Sequence, residues 1–227
     1  RFKQFEIEPE RYNTWCSGVP DSRLRLPGHN KFIPTDFSIK GKVTQQNQHT
    51  YPTLLVDTQK LRLWHKLDNR WLVPKAFVRL SLVSPTTYAS PRSMTLNRLF
   101  QQVLDDDLNS HVYDASLAGC TYHILCTPSG YRISIGGYSE TVPVLLRTLI
   151  IRIRTLISEM KNDDSRLSRL FDTAKEKLLK ETKNYRLDSP TEVNNYNSRL
   201  LMEEKVWFLD DYIDELESQE PFSNPLT

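Results

Sequence analysis

The sequence predicts an α+β domain, with an antiparallel sheet of about five strands covered by several helices. Short runs rich in Leu, Val, Phe and Trp cluster between residues 53 and 84 and again between 121 and 138, with turn formers between them. Long stretches with apolar residues at three- and four-residue steps occupy 91–118 and most of the chain after 141. Strands followed by a run of helices favour α+β over the strict alternation of a parallel α/β sheet.

The front of the chain is the least patterned part. The stretch SGVPDSRLRLPGHNKFIPTDFSIKGK is rich in Pro and Gly, and each proline withholds a backbone donor and biases the residue before it to extended geometry. It reads as an extended surface connector, followed by the polar loop KVTQQNQHT. Residues 1–50 are therefore a connector and the tail of a preceding domain, and 51–227 an αβ domain. Tyr12, Trp15 and Phe32 are either docking aromatics or side chains that pack the connector down.

Strands are predicted at TLLVDT, LRLWHKL and AFVRLSLVS, which look like antiparallel neighbours, with LDNR as a turn after Lys66. A helix over 91–118 starts with Pro91 in its first turn. It carries Met94, Leu96, Leu99, Phe100, Val103, Leu104 and Leu108 at helical spacing and stops at Gly119. TYHILCT and YRISIGGY form a hairpin around the turn PSG. TVPVLLRTLIIRIRTLISEM and SRLSRLFDTAKEKLLKETKNYR are amphipathic helices, the second with Asp163, Asp164 and Ser165 as cap candidates. SPTEVNNYNSRLLMEEKVW opens with Ser189 as N-cap, Pro190 at the first helical position and Glu192 at capping-box spacing. LDDYIDELES is a short last helix.

Composition excludes several classes. Charged residues make up 26% and the net charge is only +2, so no strong field draws the chain to nucleic acid or an anionic membrane. No apolar run approaches the roughly 20 residues of a membrane helix. Three cysteines cannot all pair, which favours reduced thiols and a cytoplasmic setting.

The densest group of reactive side chains is NSHVYDASLAGCTYHILCT at 109–127. His111 and Asp114 share a helix face. On the next strand Cys120, Tyr122, Ile124 and Cys126 point to one side and His123 to the other. Cys120 and Cys126 would lie about 20 Å apart along an extended strand, whereas zinc ligands sit about 2.0–2.3 Å from the metal. These residues read as core and helix-end side chains rather than a metal site. The carboxylates Asp105, Asp106 and Asp107 splay around a helix and read as a solvated face. Arg147, Arg152 and Arg154 read as wet residues on a helix whose Leu and Ile side chains bury against the sheet. HExxH, HxxEH, GxxxxGK[ST], GxGxxG and GxSxG are all absent. No catalytic, cofactor-binding or metal-ligating residue is assigned.

A resemblance supplies what the residues alone do not. LRLPGHNKFIPTDFSI is similar to an "LPxxNxFIPTxF" string of the insulin-degrading enzyme family of zinc metallopeptidases, the pitrilysin or inverzincin group (peptidase family M16). Leu26, Pro27, Asn30, Phe32, Ile33, Pro34, Thr35 and Phe37 carry that match. The hairpin string "LWxKxDxxFxxPK…SP" is resembled through Leu63, Trp64, Lys66, Asp68, Pro74, Lys75, Ser84 and Pro85. LDDDLNSHVYDASLAGCTYHI resembles "LxDxLNEyaYdAxlAGLxY" through Tyr113, Ala115, Ala118, Gly119 and Tyr122. GYRISIGGYSETVPVLL completes the series in the same order.

The resemblance implies four related αβ domains in two bowl-like halves around a peptide-selecting chamber. It implies zinc, two histidines and a glutamate base in an HxxEH of the first domain. Here the chain would be the end of the second domain, the connector, and a third domain that stops short of a further helix and strand, leaving a bare sheet edge open to self-association. Its partners would be the other domains of the same polypeptide and peptide substrates, a mating-pheromone precursor among them if the chain is of the fungal branch tied to axial bud-site choice. Since no HxxEH is present, no catalytic or metal role passes to a residue here. Two other readings stand beside this one: a scaffold in cell polarity without proteolysis, and an independent enzyme using His111, Asp114 or Cys126.

Overall fold

In the computed structural model, residues 6–18, 28–39, 41, 51–161 and 165–219 are described. The chain divides into two compact units, Arg1–Asn30 and Lys31–Thr227. The first holds α1 (Pro9–Ser17), a helix that the sequence reading missed. Pro9 stands at its start, and none of its residues is buried. Tyr12 and Trp15 are exposed on it. Periodicity detects a sustained apolar stripe, and in α1 the apolar side chains Tyr12, Trp15 and Cys16 span little more than one turn. The expected polar loop at 42–50, most of the connector around 19–27 and the cap candidates Asp163 and Asp164 lie outside the described residues.

The second unit is α+β. Its strands are β1 (Thr53–Asp57), β2 (Arg62–His65), β3 (Lys75–Val83), β4 (Thr121–Thr127) and β5 (Gly130–Tyr138). Its helices are α2 (Pro91–Leu117), α3 (Val142–Glu159), α4 (Ser165–Asn184), α5 (Pro190–Met202) and α6 (Leu209–Ser218). The five strands form two antiparallel sheets, β1-β2 and β3-β5-β4. The expected neighbours β2 and β3 do not pair. Between them Asp68 gathers the chain: Oδ1 accepts from the N–H groups of Arg70 and Trp71, each at 3.0 Å, and Oδ2 from Val73 at 3.4 Å. That loop carries the strand away from a tight hairpin, and β3 instead pairs with β5 over nine residue pairs from Lys75–Tyr138 to Val83–Gly130.

The β4–β5 hairpin turns at Pro128 and Ser129 into Gly130, whose φ is +133°. A Cβ there would lie 1.9 Å from the Leu82 carbonyl oxygen, so only glycine fits this turn. Ser90 caps α2 by accepting from the Ser93 N–H at 3.1 Å, and Ser189 caps α5 by accepting from Glu192 at 3.4 Å.

Helices cover one face of the three-stranded sheet. Ile124, Ile133, Ile135 and Cys120 pack against Leu104, Leu108, Val112 and Ala115 of α2 and Leu145, Leu149 and Leu156 of α3. A second cluster joins Met94, Leu99 and Val103 of α2 to Phe171, Ala174 and Leu178 of α4 and Tyr212 and Leu216 of α6. Phe32 is 1% exposed inside the first cluster, which settles its role as packing. Next to it, Glu140 accepts from the N–H groups of Thr35 and Asp36 at 2.7 and 2.8 Å, and Phe37 meets Tyr138 edge-on at 5.3 Å. The FIPT segment is thus strapped to the sheet by one carboxylate and two aromatics.

Candidate functional site

The sequence-singled residues are spread over three environments. His111 and Asp114 are both exposed on α2. The His111 Nδ1 lies 3.0 Å from the Asp107 carbonyl oxygen and from Ser110 Oγ, contacts within its own helix. Cys120 and Cys126 are buried on the core side of β4, while His123 is exposed on the other side, as strand alternation requires. Burial raises the Cys126 thiol above its ordinary value, and Arg98 and the Tyr131 and Tyr88 hydroxyls offset this only in part. Such a thiol is a poor nucleophile at neutral pH. Tyr131 itself donates to Asn97 Oδ1 at 2.7 Å, tying β5 to α2. Among the described residues no group of three or more His, Cys, Asp or Glu side chains is placed to hold a metal ion. The donor set of the described residues therefore does not fit zinc.

Two readings of charged residues require correction. Asp107 is not on a solvated face: its side chain is 0% exposed. Arg152 is not wet either, with its side chain 12% exposed. Arg152 grips Asp107 through Nε and, at 2.8 Å, through Nη2, and its Nη1 and Nη2 donate to Glu159 at 3.0 and 2.8 Å. Arg166 of α4 donates to Asp107 Oδ1 at 2.8 Å and to Glu159 Oε2 at 3.1 Å. Burial pushes the Asp107 carboxyl up, but the two guanidiniums outweigh it and hold it below the usual range. Hydrogen bonds from Arg152 first, and its charge after, hold Glu159 down as well. The cluster pins α2, α3 and α4 to one another in a site where each charge is paired. A signal for it existed. Asp107 follows Val103 by one helical turn on the buried stripe of α2, and Arg152 lies between Leu149 and Leu156 on that of α3. A charge on a core stripe of each of two helices asks for a partner. Arg147 and Arg154 are exposed, as expected.

Among the described residues no helix packs on the opposite face of the sheet. Phe77, Arg79 and Ser81 of β3, His123 and Leu125 of β4, and Arg132 of β5 are exposed there, Phe77 at 80%. The strand register places Arg79 and His123 on either side of Ser134, and Ser81 and Leu125 on either side of Arg132. The sheet thus offers an open surface with basic groups and isolated apolar side chains, backed by a rigid helical layer.

The family model described as "Middle or third domain of peptidase_M16" matches residues 1–215. The chain belongs to the M16 peptidase family. Within it the chain is a middle domain, and it is 31% identical over 211 residues to insulin-degrading enzyme of Homo sapiens, covering 93% of this chain and 20% of that protein. Insulin-degrading enzyme-like 1, peroxisomal, of Arabidopsis thaliana is 32% identical over 202 residues, covering 89% of this chain and 20% of that protein. Nardilysin of Rattus norvegicus is 32% identical over 146 residues, with 64% and 12% covered. The crystal structure of pitrilysin superposes with a TM-score of 0.73 at 22% identity, over 86% of this chain and 20% of that one, and shares the fold. The chain spans about one-fifth of the length of the insulin-degrading enzymes it matches. Among the described residues no helix is long and apolar enough to cross a membrane.

Proposed function

We propose that this M16 middle domain is a noncatalytic segment of a zinc-dependent endopeptidase, forming part of the wall of a closed peptide chamber and part of the contact between its two halves. The observation that carries this is the face of β3-β5-β4 on which, among the described residues, no helix packs, with Phe77, Arg79, His123, Leu125 and Arg132 exposed on a sheet whose other face packs into the core. A rigid sheet backed by a core can confine a substrate without reacting with it. Zinc would belong to the first domain of the parent, where it would polarise the scissile carbonyl and activate water. The side chains of this segment would act by shape and charge alone, admitting peptides and refusing folded proteins. Residues 1–50 would be the tail of the preceding domain and the connector between the halves, and 51–227 the wall domain. The parent would work in the cytoplasm, with a mating-pheromone precursor as its substrate.

The test is complementation. The chain alone, with or without chelator, should not cleave a peptide. Mixed with a purified first half of an M16 peptidase, it should raise cleavage above that of the half alone. The double charge reversal Arg79→Glu with Arg132→Glu should diminish the gain. A chain that folds and associates without raising cleavage would instead favour a scaffold role in cell polarity.

A further inference from the structure

The free edge of β4 carries a second feature. In an antiparallel ladder, alternate residues turn both backbone polar groups to the same side. Cys120 donates its N–H to the Ala115 carbonyl at 2.9 Å, and Cys126 donates its N–H to Gln101 Oε1 at 2.7 Å. Both acceptors are on α2, so the even-numbered residues of β4 direct their backbone groups away from β5. Tyr122 and Ile124 lie between these two capped ends. Their backbone N–H and C=O groups have no protein partner on that side among the described residues. They border an open groove of about 650 Å³ lined also by Gln102, Asp105, Asp106 and Lys177. An unpaired strand edge is a template for another strand, and natural edges are commonly shielded where none is wanted. Here α2 shields the two ends and leaves the middle open.

We propose that this groove binds an extended peptide segment carrying Lys or Arg, which adds to the sheet as a strand beside β4. Pairing with Tyr122 and Ile124 offers two donors and two acceptors over a segment of about four residues. The carboxylates of Asp105 and Asp106 on α2 outnumber the single ammonium of Lys177, and the His123 imidazole also lines the groove. A basic side chain is what this balance accepts. Burial raises the Asp105 carboxyl, and Asp106 beside it adds to the rise; a docked cation would relieve both. The site is independent of the wall assignment, because binding is read on this chain by itself while the assignment is read by complementation.

A short fluorescein-labelled peptide alternating lysine and valine is titrated against the chain by anisotropy, with ¹⁵N amide spectra recorded in parallel. Saturable binding is expected, with the Tyr122 and Ile124 amides shifting downfield and becoming protected. The glutamate–valine peptide should bind at least about tenfold more weakly, and Asp105→Asn with Asp106→Asn should erase that preference. N-methylation of alternate peptide nitrogens should weaken binding about tenfold or more in one register and little in the other. Tyr122→Pro removes one outward donor where an edge strand tolerates proline, and should weaken binding similarly; the N-methyl peptides decide the matter if that variant does not fold. Unshifted Tyr122 and Ile124 amides, or equal effects of both methylation registers, would overturn the proposal. So would slow exchange of those two amides in the free chain together with a dimer in sedimentation, since a second copy would then hold the edge.

Discussion

Replacing Asp107 by alanine removes the centre of a charge cluster that joins three helices. The side chain is 0% exposed and accepts from two arginines. Removing one partner of a buried ion pair costs about 3–5 kcal/mol, because the other charge is left without compensation. Arg152 would keep its two hydrogen bonds to Glu159, and Arg166, 43% exposed, would turn to water. The lower end, about 3 kcal/mol, is therefore expected. With a urea slope of about 2 kcal/mol per molar, the midpoint should fall by about 1.5 M. Urea titration followed by circular dichroism reads this directly. The companion variant Asp107→Leu with Arg152→Met removes both buried charges and should recover much of the loss, since apolar replacements of a buried pair are often neutral. A loss under about 1 kcal/mol for Asp107→Ala, or a double variant weaker than Asp107→Leu alone, would refute the idea that desolvated charge governs this site. The pH dependence has a definite sign. The folded Asp107 carboxyl is held below its unfolded value of about 3.9. Its contribution is present above that value and disappears as pH falls through the folded one. The stability difference between the wild type and Asp107→Asn should therefore shrink as pH drops below about 4.

Other consequences are as concrete. Gly130→Ala forces a side chain into the left-handed region and onto the Leu82 carbonyl, and should lower stability by at least about 2 kcal/mol in the same titration. Ser90→Ala deletes the α2 N-cap and should cost about 1 kcal/mol, while Ser90→Asp should not. Glu140→Ala frees the Thr35 and Asp36 amides, which should then exchange faster with solvent in an NMR exchange series, with the Ile135 amide unchanged.

Local chemistry made most of the elements legible. The stripe from Met94 to Leu108 located α2, the alternation through TYHILCT placed Cys126 inward and His123 outward, and Gly119, Ser189 and Pro190 marked helix ends. Each of these signals lies within a few residues and depends only on the 3.6- and 2-residue repeats of the backbone. The family strings from Phe32 to Tyr122 also lie in the sequence, and the middle-domain match bears them out. The α1 helix was not legible because its apolar side chains, Tyr12, Trp15 and Cys16, span little more than one turn and none of its residues is buried.

What the sequence by itself determined was most of the secondary elements, the α+β class and the M16 resemblance. Tertiary structure alone decided which strands pair, that Asp107, Arg152, Glu159 and Arg166 meet, and which stretch of β4 is left uncapped. The physical reason is range. Helix and strand periods are set by neighbours on the chain, whereas a buried charge is stable only where residues 45 or more positions apart converge on it.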